Sequence, residues 1–260
     1  MTNLMHIKNR TRLFGVEIDL LTMAETVATI QQWLGTSEKI CKFVVTPNVD
    51  HIVKVQTDSA LQVAYKQAAL VVTDGKPVVW AASLLGVRIP GTVPGSDLVP
   101  AIFDDAQTEK TAIKVFLLGA MPGVADRAKA AIQAKWPIVN VVGTLSPDFG
   151  FDKSESESKA ICEVVNKSGA DLLVLGLGAP KQELWVTQYS SELAVKVALC
   201  VGATIDFLAG EKTRAPIWMR KLGLEWLHRM LSEPKRLAKR YMVDAIVFPK
   251  LIFQEWLSRR

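Results

Sequence analysis

The sequence predicts an α/β protein built from parallel β/α units in two lobes, followed by a basic helical appendage. Three observations carry that expectation. Short apolar runs end in Gly, Asp, Asn or Pro; helix-length segments separate them; and the positive charge collects in the last fifty residues. Such alternation is what a parallel sheet with crossover helices requires.

The elements follow in order. Phe43-Val44-Val45 leads to Thr46-Pro47-Asn48 and a helical segment to about Gln67. Leu70-Val71-Val72 leads to Thr73-Asp74-Gly75-Lys76-Pro77 and a second helix. After the Gly/Pro-rich loop from Ile89 to Gly95, Ser96 or Asp97 can cap a helix to about Gln107. The polar stretch Thr108 to Thr111 marks the lobe boundary. Beyond it, the run ending in Leu118 enters Gly119 to Gly123, Val139 to Val142 enters Gly143, Leu172 to Leu175 enters Gly176 to Pro180, and Val197 to Val201 enters Gly202. Helices are expected over 123–135, 154–168 and 181–192, the second opened by Ser154 with Glu155 and Glu157 at its positive end. The result is two Rossmann-like lobes, 1–110 and 111–212, with mainly parallel sheets, and a tail of 213–260.

Composition removes several classes. With 49% hydrophobic and 22% charged residues, the 260-residue chain is neither disordered nor fibrous. No uncharged run exceeds twelve residues, whereas a spanning helix needs roughly 20 apolar ones, so no integral membrane segment is expected. Met1 to Arg12 contain no apolar stretch of the secretory kind. Cys41, Cys162 and Cys200 are odd in number and far apart, which argues against a disulfide framework or zinc site and fits a cytoplasmic protein. The net charge is +5, yet Glu211 to Arg260 hold 12 basic and 5 acidic residues, leaving −2 for the first 210.

Loops at the carboxyl ends of parallel strands share one crevice, where ligands bind. Asp74, between an apolar strand and Gly75, has the setting of a general base with raised pKa, or of Asp-Gly turn chemistry. Thr46 and Asn48, near Asp50 and His51, offer substrate-positioning groups, or a helix cap. Gly119 to Gly123 and Gly176 to Pro180, including Gly178, resemble phosphate-cradling turns, without a full dinucleotide fingerprint or a P-loop. Lys181 could meet a phosphate, Gln182 a sugar hydroxyl and Asp206 a ribose or base; solvated helix turns or loop closure are the alternatives. In the tail, Trp218, Leu222, Trp226 and Leu231 alternate with Arg220, Lys221, Arg229, Lys235 and Arg236, the pattern of a membrane-surface helix. Core packing and a nucleic-acid patch are the competing readings, and the apolar face weighs against pure phosphate binding.

In combination, Thr46-Pro-Asn48, Ala69-Leu-Val-Val-Thr-Asp-Gly75, Gly95-Ser-Asp-Leu98, Gly176-Leu-Gly-Ala-Pro-Lys-Gln-Glu183, Gly202-Ala-Thr-Ile-Asp206, Arg214-Ala-Pro216 and Gly223-Leu-Glu-Trp-Leu-His-Arg229 resemble the WecG/TagA/CpsF family of bacterial glycosyltransferases, glycosyltransferase family 26, from about Phe14 to Arg240. The resemblance implies inverting, metal-independent transfer of N-acetylmannosamine, N-acetylmannosaminuronic acid or glucose. The donor would be a UDP-sugar and the acceptor a polyprenyl-diphosphate-linked saccharide, at the inner face of the cytoplasmic membrane, with no cofactor and no nucleic acid. By motif position it makes Asp74 the base, with Thr46 and Asn48 beside it, in the first lobe. Gln182 and Asp206 would contact sugar and nucleotide, the second lobe being the nucleotide-binding one. Arg229 and Arg236, with Lys239 or Arg240, would meet the diphosphate. No Asp-x-Asp metal motif occurs, so Lys, Arg and helix N-termini would have to stabilise the departing UDP. Thr92-Val93-Pro94 stands where members often carry an Arg. The Rossmann-like rhythm also admits a nicotinamide-dependent oxidoreductase, against which the incomplete glycine fingerprint counts. A homo-oligomer is compatible with the sequence.

Overall fold

The computed structural model describes residues 9–260. A hairpin of β1 (Arg10–Leu13) and β2 (Val16–Asp19) comes first. Its two-residue turn, Phe14-Gly15, has φ of 52° and 78°. Both signs are what a tight hairpin turn demands. The helix α1 (Met23–Leu34) follows, opened by a reciprocal Thr22–Glu25 capping box.

The body is one six-stranded parallel sheet in the order β4 (Leu70–Val71), β3 (Lys42–Val45), β8 (Val197–Cys200), β7 (Leu172–Gly176), β5 (Ile113–Gly119), β6 (Val139–Leu145). The α/β class, the parallel pairing and the helical tail are as read from the sequence. The strands of the two expected lobes, however, join in a single sheet through the β3–β8 pairing, rather than forming separate ones. Strands buried on both faces read as unbroken apolar runs. In β5, Ile113, Val115 and Leu117 pack on one side while Phe116 and Leu118 pack on the other, and β7 divides likewise.

One face is covered by α2 (Val49–Val55), α3 (Ser59–Gln67), α4 (Lys76–Leu84), α7 (Glu155–Lys167) and α8 (Lys181–Tyr189). The other carries α1, α5 (Gly95–Glu109), α6 (Val124–Lys135) and α9 (Thr204–Leu208). The single helix expected up to Gln67 is two, because Asp58 accepts the Leu61 N–H at 2.9 Å and starts a new one. Neither Ser96 nor Asp97 caps α5, which begins at Gly95 and runs to Glu109; Lys110, left-handed at φ 54°, ends it. Winding reverses between β5 and β7, since β6 lies outside β5 and β8 lies inside β7.

The tail forms α10 (Ile217–Lys221), α11 (Glu225–Ser232) and α12 (Pro234–Ser258) and crosses the carboxyl edge of the sheet. No described helix is long and apolar enough to cross a membrane. The far end of α12 is fastened to the hairpin: Phe14 and Phe248 rings lie 5.3 Å apart, Phe14 N–H donates to Glu255 Oε2 at 3.2 Å, and Arg259 Nη2 donates to the Arg12 carbonyl at 2.6 Å.

Candidate active site

Where the tail crosses the β3 and β4 loops it encloses a cavity of about 450 Å³. The floor holds Asn48, Asp50, Asp74 and Gly75, one wall Ala203, Thr204 and Phe207, and the roof Arg220, Trp226, Arg229, Arg240, Tyr241 and Asp244. Thr92 and Pro94 complete the rim. Thus the sequence-distant Asp74, Asn48, Arg229 and Arg240 do come together.

Asp74 sits just before the N-terminus of α4, held by its N–H donating to the Pro47 carbonyl at 2.8 Å. Gly75 turns the chain at φ 97°, and α4 has no side-chain cap. The Asp74 side chain makes no hydrogen bond to its own turn, so the turn does not consume the carboxylate. It opens onto the cavity but is packed round by protein, and this burial raises its pKa to about 7; Arg229 pulls the other way and Glu225 adds to the rise. Such a group is a proton acceptor near neutral pH.

Asn48 caps α2, its Oδ1 accepting the His51 N–H at 3.3 Å, so the capping role seen in the sequence is real and coexists with a place in the cavity wall. Thr46 is buried and donates to the Cys200 carbonyl at 3.3 Å, joining the ends of β3 and β8. His51 is buried against Tyr65 OH at 2.7 Å, and burial lowers its pKa to about 4. That environment removes it from proton transfer with substrate.

No place in the site was expected for a second group of charges. Arg214 grips Asp97 with two bonds, Nη1 to Oδ1 at 2.8 Å and Nη2 to Oδ2 at 3.3 Å, and pairs with Glu225 at 3.3 Å. Arg220 lies 3.7 Å from the same Asp97 oxygen. This network ties α10 and α11 to the start of α5 and so sets where Arg229 stands. Asp50 and Asp244, the acids beside Arg240, were likewise unassigned. Arg214, Asp97 and Glu225 each stand in one of the motifs quoted above, but nothing local in the sequence shows that they pair or which tail carboxylates face inward.

The glycine-rich rim lies apart from this cavity. A Cβ on Gly119, φ 121°, would fall 2.5 Å from the Gly176 carbonyl oxygen, so the β5 and β7 loops meet backbone to backbone. Gly178, φ 79°, faces open space. Lys181 is 3.2 Å from Asp152 and close to the Phe149 ring. Gln182 is buried: Oε1 accepts the Gly202 N–H at 3.1 Å and Nε2 donates to Glu183 Oε1 at 2.7 Å. Burial raises Glu183 to a pKa of about 7. Asp206 is half-buried on α9. In the tail, Arg236 is exposed and bonds Glu233 at 2.6 Å, and Lys239 is exposed. Arg229 lines the cavity without an ion-pair or hydrogen-bond partner among the described residues.

Comparison with known proteins identifies the family. The model of the glycosyl transferase WecG/TagA/CpsF family matches residues 11–260. Two relatives, from Staphylococcus aureus strains MRSA252 and MW2, are each 30% identical over 227 residues, covering 87% of this chain and 86% of theirs. Both are named N-acetylglucosaminyldiphosphoundecaprenol N-acetyl-beta-D-mannosaminyltransferase. With the match spanning the sheet, the Asp74 cavity and the helical tail alike, the chain belongs to the WecG/TagA/CpsF family and is a glycosyltransferase.

Proposed function

We propose that the protein transfers a sugar from a UDP-sugar to a polyprenyl-diphosphate-linked saccharide, with inversion, at the inner face of the cytoplasmic membrane. The observation that carries the reading is Asp74: a carboxylate with its pKa near 7, on the floor of a cavity roofed by tail guanidiniums. Asp74 accepts the proton of the acceptor hydroxyl as that oxygen attacks the anomeric carbon. The bond to UDP breaks with its electron pair leaving on the phosphate, where positive charge lowers the barrier. Tail guanidiniums on the cavity roof can supply that charge.

Thr46 and Asn48 support the reacting end. Gly119, Gly178, Lys181 and Asp206 form the side on which the nucleotide is read. Gln182, buried, supports that side through Gly202. Arg229, Arg236 and Lys239 receive the acceptor's diphosphate. Exposed Trp218, Leu222 and Leu231 beside Arg220, Lys221 and Lys235 support attachment to an anionic membrane surface, each cation contributing about 1 kcal/mol.

The test incubates the full chain with lipid-diphosphate-linked N-acetylglucosamine, the acceptor named for the relatives, and a panel of UDP-sugars headed by UDP-N-acetylmannosamine. A disaccharide product with kcat/KM rising as pH passes about 7 is expected, because the base works deprotonated. No product from any UDP-sugar overturns the reading. Sedimentation with anionic but not neutral vesicles, weakened by salt, checks the membrane part.

A further inference from the structure

We propose that Arg240 is a positioning residue, which with Asp50 fixes the Asn48 amide so that its NH₂ group is offered to the substrate, and that it is not a ligand of the acceptor's diphosphate. The inference rests on the transferase reading above and takes Arg240 out of the cations that the family resemblance offers for the diphosphate.

Asp50, 4% exposed on the first turn of α2, has a cation at each oxygen. Arg240 Nε lies 3.1 Å from Oδ1, and Lys54 Nζ lies 2.8 Å from Oδ2 while also reaching the Ala179 carbonyl at 3.4 Å. Buried Asp244 stands 3.9 Å from the same Arg240 nitrogen. Two acids and two bases neutralise one another here, so an incoming diphosphate would meet carboxylates on both sides of the guanidinium. Among the described residues none is ion-paired to Arg229, which keeps its charge available.

The guanidinium is used elsewhere. Arg240 Nη2 donates to Asn48 Oδ1 at 3.4 Å, on the oxygen that also takes the His51 N–H at 3.3 Å. Both partners can only donate, so the amide atom facing them has to be oxygen; the reversed amide would set donor against donor. The NH₂ end therefore points away from these contacts. It has no protein partner among the described residues, and Asn48 lines the cavity. The adjoining Pro47 carbonyl binds Asp74 N–H at 2.8 Å, so amide and base rise from joined backbone. Asn48 holds an oxygen of the sugar being transferred or accepting, beside Asp74.

Three variants are compared on lipid-diphosphate and lipid-monophosphate N-acetylglucosamine. Asn48→Asp keeps an oxygen for the cap and for Arg240 but loses both N–H donors. It is expected to lose tenfold or more in kcat with its melting temperature unchanged; full activity overturns the donor role. Arg240→Lys keeps the cation near Asp50 but not the reach to Asn48. It should lose about tenfold in kcat on both acceptors alike, with no added loss in an Asn48→Ala background, and Asp50→Asn should behave the same way. A selective rise in KM for the diphosphate acceptor, or losses that add to Asn48→Ala, overturns the proposal and makes Arg240 a diphosphate ligand. Absence of transfer by the wild type refutes the transferase reading instead, which keeps the two failures apart.

Discussion

The two rims of the carboxyl edge use polar groups in opposite ways. Along β3, β4 and the tail, the Asp74 and Arg229 side chains stand in a cavity without hydrogen-bond partners among the described residues, their charges acting on each other across space. Along β5 and β7, Gly119 and Gly176 close the backbones together and Gln182 spends both ends of its amide within the protein. Groups left unpaired cost stability and are retained where chemistry happens. Groups fully paired give a rigid frame against which the first rim is held.

Four changes test that division. Asp74→Asn should lower transfer by roughly 10²–10⁴ while leaving the melting temperature equal or higher, since a buried carboxylate is removed. A loss under about threefold in a steady-state assay breaks the contrast at its centre. Gly119→Ala should do the reverse. Its Cβ meets the Gly176 carbonyl, so stability should fall by roughly 3 kcal/mol, seen as a melting temperature about 6–12 °C lower, with any kinetic loss in the folded fraction appearing as a higher KM for the UDP-sugar rather than a lower kcat.

Arg229→Gln sharpens the first rim. Arg229 is the chief influence holding Asp74 down, so without it the pKa climbs above about 7. Turnover at pH 7 should fall about tenfold and partly recover by pH 8.5, the rising limb of the pH profile moving to higher pH. Glu183→Gln has the smallest expected effect. Glu183 is raised from 4.5 to about 7 by burial, so its contribution to stability is full below pH 4.5 and disappears as pH climbs through 7. Between pH 6 and 8 the wild type should therefore lose about 1 kcal/mol more stability than the variant, read from melting temperatures at both pH values.

Much of the frame was legible because its signals are local. Apolar runs stopped by Gly or Asp gave strands β3 to β8, and Ser154 accepting the Glu157 N–H gave the start of α7. The β1–β2 hairpin was not read, since its turn is Phe14-Gly15 and only the second residue is a usual turn former. The union of the two halves was also hidden: β3 pairs with β8 across about 150 residues, and no local pattern encodes such a partner. At the site, Asp74 and Asn48 stood out because a strand end announces itself. The Arg214–Asp97 clamp did not, because each residue looks like a solvated charge until 117 positions of chain are folded between them.

The long C-terminal helix is secured at both extremities, near Asp50 by Arg240 and at the hairpin by Glu255 and Arg259. Mechanically it is a beam with two supports, and Phe248 lies between them, touching Phe14 on one side and the cavity on the other. Trimming Phe14 would tilt the beam and shift the reach of Arg240. A ring outside the cavity would thereby set, on the proposed reading, how far the tail reaches over the substrate.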